Sequence, residues 1–373
     1  MTRHLKLITI IAAGVLPLMG CTTPGGTPTA PATSGTPRST PTAATTNGTS
    51  GLTNTVVINA GSPVVSVAIG QLNGKDVLVS GRGDGTVQVW DAGGQPIGEP
   101  LSGAHSGPGD NWPWPYAAIG RLDGQDVIAT TGHGIQIWDA DRHLVGPPIE
   151  VGAGPVALGR LNGKDVIVAD GPGIHSAGVW DTEGKLLWQT TSPTDCALIA
   201  DAYAGIDSVT MGRLNGQDVI VVTYYCSPDR VVQIWDAQGK PVGKPMVGGR
   251  QVAIGQLNGQ DVIVASSGDS EVRIWDASGQ PVLQPLAVPP YNGSPDAVFS
   301  VATGRFNDQD VIAAGTYYGG LIKIWDGAGN VFAQASADQG ECIYSLTIGQ
   351  LNGQDVLVSG SDEGFVRIWQ ITG

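Results

Sequence analysis

LNGQDV occurs at residues 214–219, 257–262 and 351–356. Close variants stand at 72–77 and 161–166 (LNGKDV), 122–127 (LDGQDV) and 306–311 (FNDQDV). Seven near-copies in one chain pose a choice between a repeated chemical site and a repeated piece of architecture. Asn-Gly between two apolar runs favours a two-residue hairpin turn, because both central positions need φ > 0. The flanking residues then pair directly. Arg121 faces Asp126, Arg160 faces Asp165, Arg213 faces Asp218 and Arg305 faces Asp310. Gln71, Gln256 and Gln350 face Asp76, Asp261 and Asp355. Such an opposed pair contributes about 0.2–1 kcal/mol. The alternative is that each aspartate caps its turn through backbone N–H groups.

A second periodic mark fixes the length of the unit. Trp-Asp pairs begin at Trp90, Trp138, Trp180, Trp235, Trp275 and Trp325, and Trp369 is followed by Gln370. The spacings of 48, 42, 55, 40, 50 and 44 define seven units with insertions. In the first unit SPVVSVAIGQL, DVLVSG, TVQVWD and PIGEPL are four short Val/Ile-rich runs divided by Gly, Asn and Asp. Helix signals are absent from this region. Four-stranded units that cannot bury both faces alone cover one another when arranged radially.

SVAIGQLNGKDVLVSGRGDGTVQVWD (66–91) resembles the repeat of WD-repeat β-propellers in its first hairpin, its Gly-Asp-Gly turn and its Trp-Asp ending. The resemblance extends over 55–373. It implies an all-β, seven-bladed propeller of four-stranded antiparallel blades. The last unit stops after its third strand, and Thr55-Val56-Val57-Ile58-Asn59 is an orphan strand before the first. The N-terminal strand is therefore expected to complete the seventh blade beside 365–371. Few of the family's hydrogen-bonding positions are kept: Asp84, Asp229, Asp269 and Asp362 fit its turn aspartate, and only His105 fits its histidine. GQLNGQDVIV also resembles the calcium loops of integrin-type propellers. Here one carboxylate per unit remains, too few for a cation that takes six to eight oxygens. No metal or cofactor is expected.

Upstream the composition changes. Arg3, His4 and Lys6 precede an apolar run from Leu7 to Leu18, so 1–20 reads as a signal peptide. Leu18-Met19-Gly20-Cys21 resembles the bacterial lipobox, which implies a diacylated (palmitate-type) Cys21 as the mature N-terminus. Residues 21–54 are rich in Thr, Pro, Ala, Gly and Ser and read as a disordered tether. The expected location is extracytoplasmic, held to a bacterial membrane by lipid alone. The formal charge is −14, and basic residues do not cluster, which argues against nucleic acid.

In the propeller resemblance, the d–a and b–c loops share one face. Tyr116, Tyr203 and Tyr291 fall in d–a connections, as do Trp112 and Trp114. Tyr224, Tyr225, Tyr317 and Tyr318 fall in b–c loops or the adjoining strand ends, and Tyr344 opens a strand. One aromatic face on a rigid scaffold predicts a protein- or peptide-binding surface. The competing reading is that these rings plug the channel and pack on one another. Asp110, Asp201, Asp229, Asp296 and Glu341 add charge there, which predicts a basic partner. Cys196 and Cys226 share a blade and are the preferred disulfide, leaving Cys342 as a buried odd thiol. The expectation is a monomeric scaffold of the cell envelope. A glycan or small-ligand receptor on the same face is the main rival. An envelope hydrolase comes third; His105, His133 and His175 are scattered, and no catalytic motif is present.

Overall fold

The computed structural model describes residues 50–102, 115–132, 134–151, 154–173, 175–193, 206–225, 230–267, 270–337 and 340–372. Cys21, Trp112, Trp114, Cys196, Tyr203 and Cys226 lie outside them, as do His105, His133, Asp110, Asp201, Asp229 and Asp269.

The described regular elements are β-strands. After β1 (Ser50–Asn59), blade 1 is β2 (Val64–Leu72), β3 (Lys75–Arg82), β4 (Thr86–Asp91) and β5 (Leu101–Ser102). Blade 2 is β6 (Ala117–Leu122), β7 (Gln125–Gly132) and β8 (Gly134–Asp139). Blade 3 is β9 (Val156–Leu161), β10 (Lys164–Asp170), β11 (Ala177–Trp180) and β12 (Leu186–Gln189). Blade 4 is β13 (Ile206–Leu214), β14 (Gln217–Tyr225), β15 (Arg230–Asp236) and β16 (Pro241–Gly248). Blade 5 is β17 (Val252–Leu257), β18 (Gln260–Ser266), β19 (Glu271–Asp276) and β20 (Leu286–Ala287). Blade 6 is β21 (Val298–Phe306), β22 (Gln309–Thr316), β23 (Leu321–Asp326) and β24 (Val331–Ser336). Blade 7 is β25 (Ile343–Leu351), β26 (Gln354–Ser361) and β27 (Phe365–Thr372), completed by β1.

The ring closes as expected. β1 runs antiparallel to β27, with Asn59 opposite Phe365 and Val57 opposite Arg367. The strand starts earlier than Thr55. Leu52 is buried in the core between blades 6 and 7, and Ser50 and Gly51 pair in parallel with Ala333 and Gln334 of β24. The N-terminal strand thus joins the last two blades into one eight-stranded sheet. Blade 2 departs from the four-strand expectation. Its outer segment meets β8 through two isolated bridges, Trp138–Leu144 and Ile135–Ile149, and forms no continuous strand, because Pro147 and Pro148 between them have no N–H to give to a ladder.

There is no single core. The second strand of each blade is buried on both faces, as in Val77-Leu78-Val79, and each pair of neighbouring blades shares its own apolar cluster. The repeat tryptophan of each blade enters the cluster shared with the blade before it. Trp138 seals blades 1 and 2, Trp369 seals blades 6 and 7, and Trp90 seals blades 7 and 1. In three blades the indole N–H also finds a hydroxyl: Trp90 to Ser80 at 2.9 Å, Trp138 to Thr130 at 3.1 Å and Trp369 to Ser359 at 2.8 Å.

The glycine of the IGQL or IGRL segment sets how closely the blades approach. A Cβ on Gly70 would lie 2.6 Å from Ile119, one on Gly255 2.5 Å from Thr303, and one on Gly304 2.3 Å from Ile348. Gly349 meets Ile69 in the same way across the closing junction. Each innermost strand therefore lays a side chain on the bare backbone of its neighbour.

The LNGxDV turns confirm both halves of their reading. Asn73 and Gly74 have φ of 51° and 72°, and the other six turns repeat this pattern, with Asp123 replacing Asn in blade 2 and Asp308 replacing Gly in blade 6. The expected pairs form. Arg Nε to Asp distances are 3.4 Å for Arg121–Asp126, 3.0 Å for Arg160–Asp165, 3.4 Å for Arg213–Asp218 and 3.5 Å for Arg305–Asp310. Gln71, Gln256 and Gln350 donate to Asp76, Asp261 and Asp355 at 2.8–2.9 Å.

The second oxygen of six of these aspartates reaches further. It accepts a backbone N–H from the turn of the preceding blade: Asn73 to Asp126, Asp123 to Asp165, Asn162 to Asp218, Asn215 to Asp261, Asn307 to Asp355 and Asn352 to Asp76, all within 3.0 Å. Between blades 5 and 6 the Asn258 side chain instead donates to the Gly327 carbonyl at 2.9 Å. The motif is a belt that ties each blade to the next.

Candidate binding face

The innermost strands surround a central channel of about 610 Å³, to which every blade contributes residues. One mouth is ringed by the belt turns. At the other, the d–a connections enter and the b–c loops turn back, and the two tyrosine groups meet there.

The aromatic residues fall into two sectors of this mouth. Around blades 6 and 7, Phe299 stacks on Tyr317 at 5.1 Å and lies against Tyr344 at 5.3 Å, while Tyr318 meets Tyr317 edge-on at 4.8 Å. Tyr291 packs over Gly319 in the same sector. In blade 4, Tyr225 lies 5.0 Å from the Arg230 guanidinium, and Arg230 donates to Asp207 at 2.7 Å. The expectation brought Tyr317, Tyr318, Tyr225 and Tyr291 to this face. It did not include Phe299, the ring at the centre of the cluster. A phenylalanine next to a buried valine in a strand carries no signal separating it from core.

Tyr224 is a correction. It is fully buried between blades 3 and 4, and its hydroxyl donates to Thr190 at 2.8 Å. β14 is buried on both faces up to Tyr224, which turns toward blade 3 like Ile220 and Val222, and only Tyr225, the last residue of the strand, is exposed, at 37%. Self-packing is also real in part: Tyr344 is buried and joins Phe299, Tyr317 and Cys342 in a small cluster below the mouth. Burial raises the phenol pKa of Tyr344, with Asp362 and Tyr317 adding and Arg250 opposing. Tyr116, which lines the channel, is likewise raised, first by burial. These phenols are neutral hydrogen-bonding groups at physiological pH.

Two of the five acidic residues expected at this face lie within the described residues, and both are engaged. Asp296 is 2% exposed and accepts the backbone N–H groups of Tyr318 and Gly319 at 2.8 and 3.0 Å. Glu341 is 1% exposed and bonded to Arg367, which lies over the Phe365 ring. Neither carboxylate presents charge to solvent. Burial pushes Asp170 up to about 7, against the opposing hydrogen bond from the Ile206 N–H.

Cys342 is also a correction. It is disulfide-bonded rather than an odd thiol. His175 is 4% exposed, has φ of 53°, and neither ring nitrogen has a hydrogen-bond partner. Among the described residues no cluster of His, Cys, Asp and Glu is placed to hold a metal.

Comparison with known proteins agrees with the fold. The family model for the WD domain, G-beta repeat, matches residues 55–91. No curated protein matches the chain. Among solved structures, Raptor from Chaetomium thermophilum superposes with a TM-score of 0.61 at 15% identity, over 87% of this chain and 30% of that one. This chain therefore spans under a third of that protein's length. It is one of 990 solved chains that match, so shape alone does not narrow the role. Residues 55–91 carry a WD40 repeat, and the chain folds as a WD40-type β-propeller.

Proposed function

We propose that this chain is a lipid-anchored protein of the cell envelope whose propeller holds a protein partner on the aromatic channel mouth. A WD40 propeller is in general a protein-interaction or scaffolding module. The observation that carries the assignment to this face is the asymmetry between the two mouths. On one, the turn aspartates and amides are engaged in the belt. On the other, Tyr225, Tyr291 and Tyr318 keep partly exposed rings on a rigid base of stacked Phe299 and Tyr317. Aromatic rings lose little entropy on binding and are enriched at interface centres. The signal-like segment, the lipobox-like Leu18-Met19-Gly20-Cys21 and the Thr/Pro-rich tether support the anchored part of the reading. Asp296 and Glu341 lend no support to a basic partner, because both are engaged inside the protein.

Two variants test the reading. Tyr225→Ala and Tyr318→Ala should each lose a partner recovered with the wild-type chain from envelope extracts, with melting temperature little changed. Retention of the same partner by both would defeat the proposal. Cys21→Ser should move the chain out of the membrane fraction; a variant that stays there contradicts lipid anchoring.

A further inference from the structure

We infer that Arg250 receives a carboxylate group of the bound partner at the channel mouth, an inference that rests on the mouth-face reading above. Arg250 lines the channel just ahead of β17 and is half-buried. Its guanidinium lies 4.4 Å from the Phe299 ring centroid. It has no ion pair or side-chain hydrogen bond among the described residues. Every other described arginine donates from its side chain: Arg82 to Thr86, Arg142 to Ile97, Arg230 to Asp207, Arg273 to Val247, Arg367 to Glu341, and the four turn arginines to their own hairpins.

The residue is held in place without being satisfied. Its carbonyl accepts the Thr223 hydroxyl at 3.2 Å. Gln251 beside it exchanges backbone and hydroxyl bonds with Ser266. Gly249 before it is pressed on the Ser266 carbonyl so closely that a Cβ would sit 1.2 Å away. The guanidinium rests over the Phe299 ring, and the residue lines the channel.

The carboxylates near it are committed elsewhere. Asp207 lines the same channel but is held by Arg230 at 2.7 Å. Asp362 accepts the Cys342 N–H at 2.7 Å, and Asp170 accepts the Ile206 N–H. A planar fork of donors matches a carboxylate through two parallel hydrogen bonds, and a cavity wall strengthens such bonds relative to open water. The group comes from an acidic side chain of the partner or from its C-terminus.

Matched pools of short random peptides passed over the full chain separate these sources. One pool contains Asp and Glu and is amidated at the C-terminus; a second has Asn and Gln instead and a free C-terminal carboxylate; a third has neither carboxylate. Retention of the first or the second over the third by about tenfold or more is expected. The winning pool names the source. The preference should vanish in Arg250→Gln and survive in part in Arg250→Lys, which keeps the charge but not the fork. The melting temperature of each variant reports whether the fold persists. Equal retention of the pools, or an unchanged preference in Arg250→Gln, overturns the inference. If Tyr318→Ala loses the cellular partner while Arg250→Gln keeps it, the mouth-face reading stands and the carboxylate inference fails.

Discussion

The backbone N–H of Asn352 donates to Asp76 across 276 residues of sequence at 2.7 Å, joining the last blade to the first. The same aspartate accepts from Gln71 within its own hairpin at 2.8 Å. Asp76→Ala removes both acceptors and gives the Asn352 amide at the closing junction to water. Both bonds are solvent-exposed, so the expected cost is about 0.5–1.5 kcal/mol, read as a melting-temperature loss. Gln71→Ala removes only the bond within the hairpin and should cost less. Equal losses in the two variants would show that the inter-blade bond adds nothing.

Steric and conformational substitutions at the same repeat should have opposite signs. Gly304→Ala places a methyl 2.3 Å from Ile348 Cγ2 and 2.7 Å from its Cβ, which no change of rotamer moves, and should lower the melting temperature. Asp308 holds φ of 63° where five other turns have glycine and one, in blade 2, has glycine after Asp123. Asp308→Gly relieves that strain and gives up only a highly exposed contact with Arg305 at 3.7 Å. A gain of about 0.5–1 kcal/mol is expected; a loss would mean the ion pair outweighs the backbone strain.

Asp170 gives a pH-dependent prediction. Its carboxyl titrates at about 7 in the folded protein, against an ordinary value of 3.8. Below the ordinary value both states hold the proton. As pH rises toward 7 the unfolded chain releases it while the folded protein retains it, so this group's contribution to stability falls through that window and levels off above it. Asp170→Asn should therefore match the wild type near pH 4 and melt higher at pH 8. Parallel curves across the window would refute the shift.

Cys342 offers a direct chemical check. Peptide mapping without reduction should find the peptide containing Cys342 joined to another cysteine of the chain, and that peptide identifies the partner. Recovery of Cys342 as a free thiol contradicts the bond.

Architecture was legible because it repeats: two-residue turns force their flanking residues to pair, so Arg160–Asp165 follows from spacing alone. The link from Asn162 to Asp218 was not legible, since it joins different repeats and depends on how the blades nest. The glycine of IGQL was visible as a residue but not as a contact, because its neighbour, such as Ile348 for Gly304, lies a blade away. At the mouth, loop position brought the tyrosines to the right face. Burial separated Tyr224 from Tyr225 and removed Glu341 from the surface. Neighbouring residues on a strand point opposite ways, and loop-based placement carries no such phase.

The central claim concerns which mouth meets the partner. A photo-crosslinking amino acid placed at Tyr225 or Tyr318 in intact cells samples the aromatic mouth; the same probe at Asn162 or Asn215 samples the belt. The account predicts that both mouth positions capture one common protein and that the belt positions do not. Capture of that protein from the belt, with none from the mouth, would contradict it.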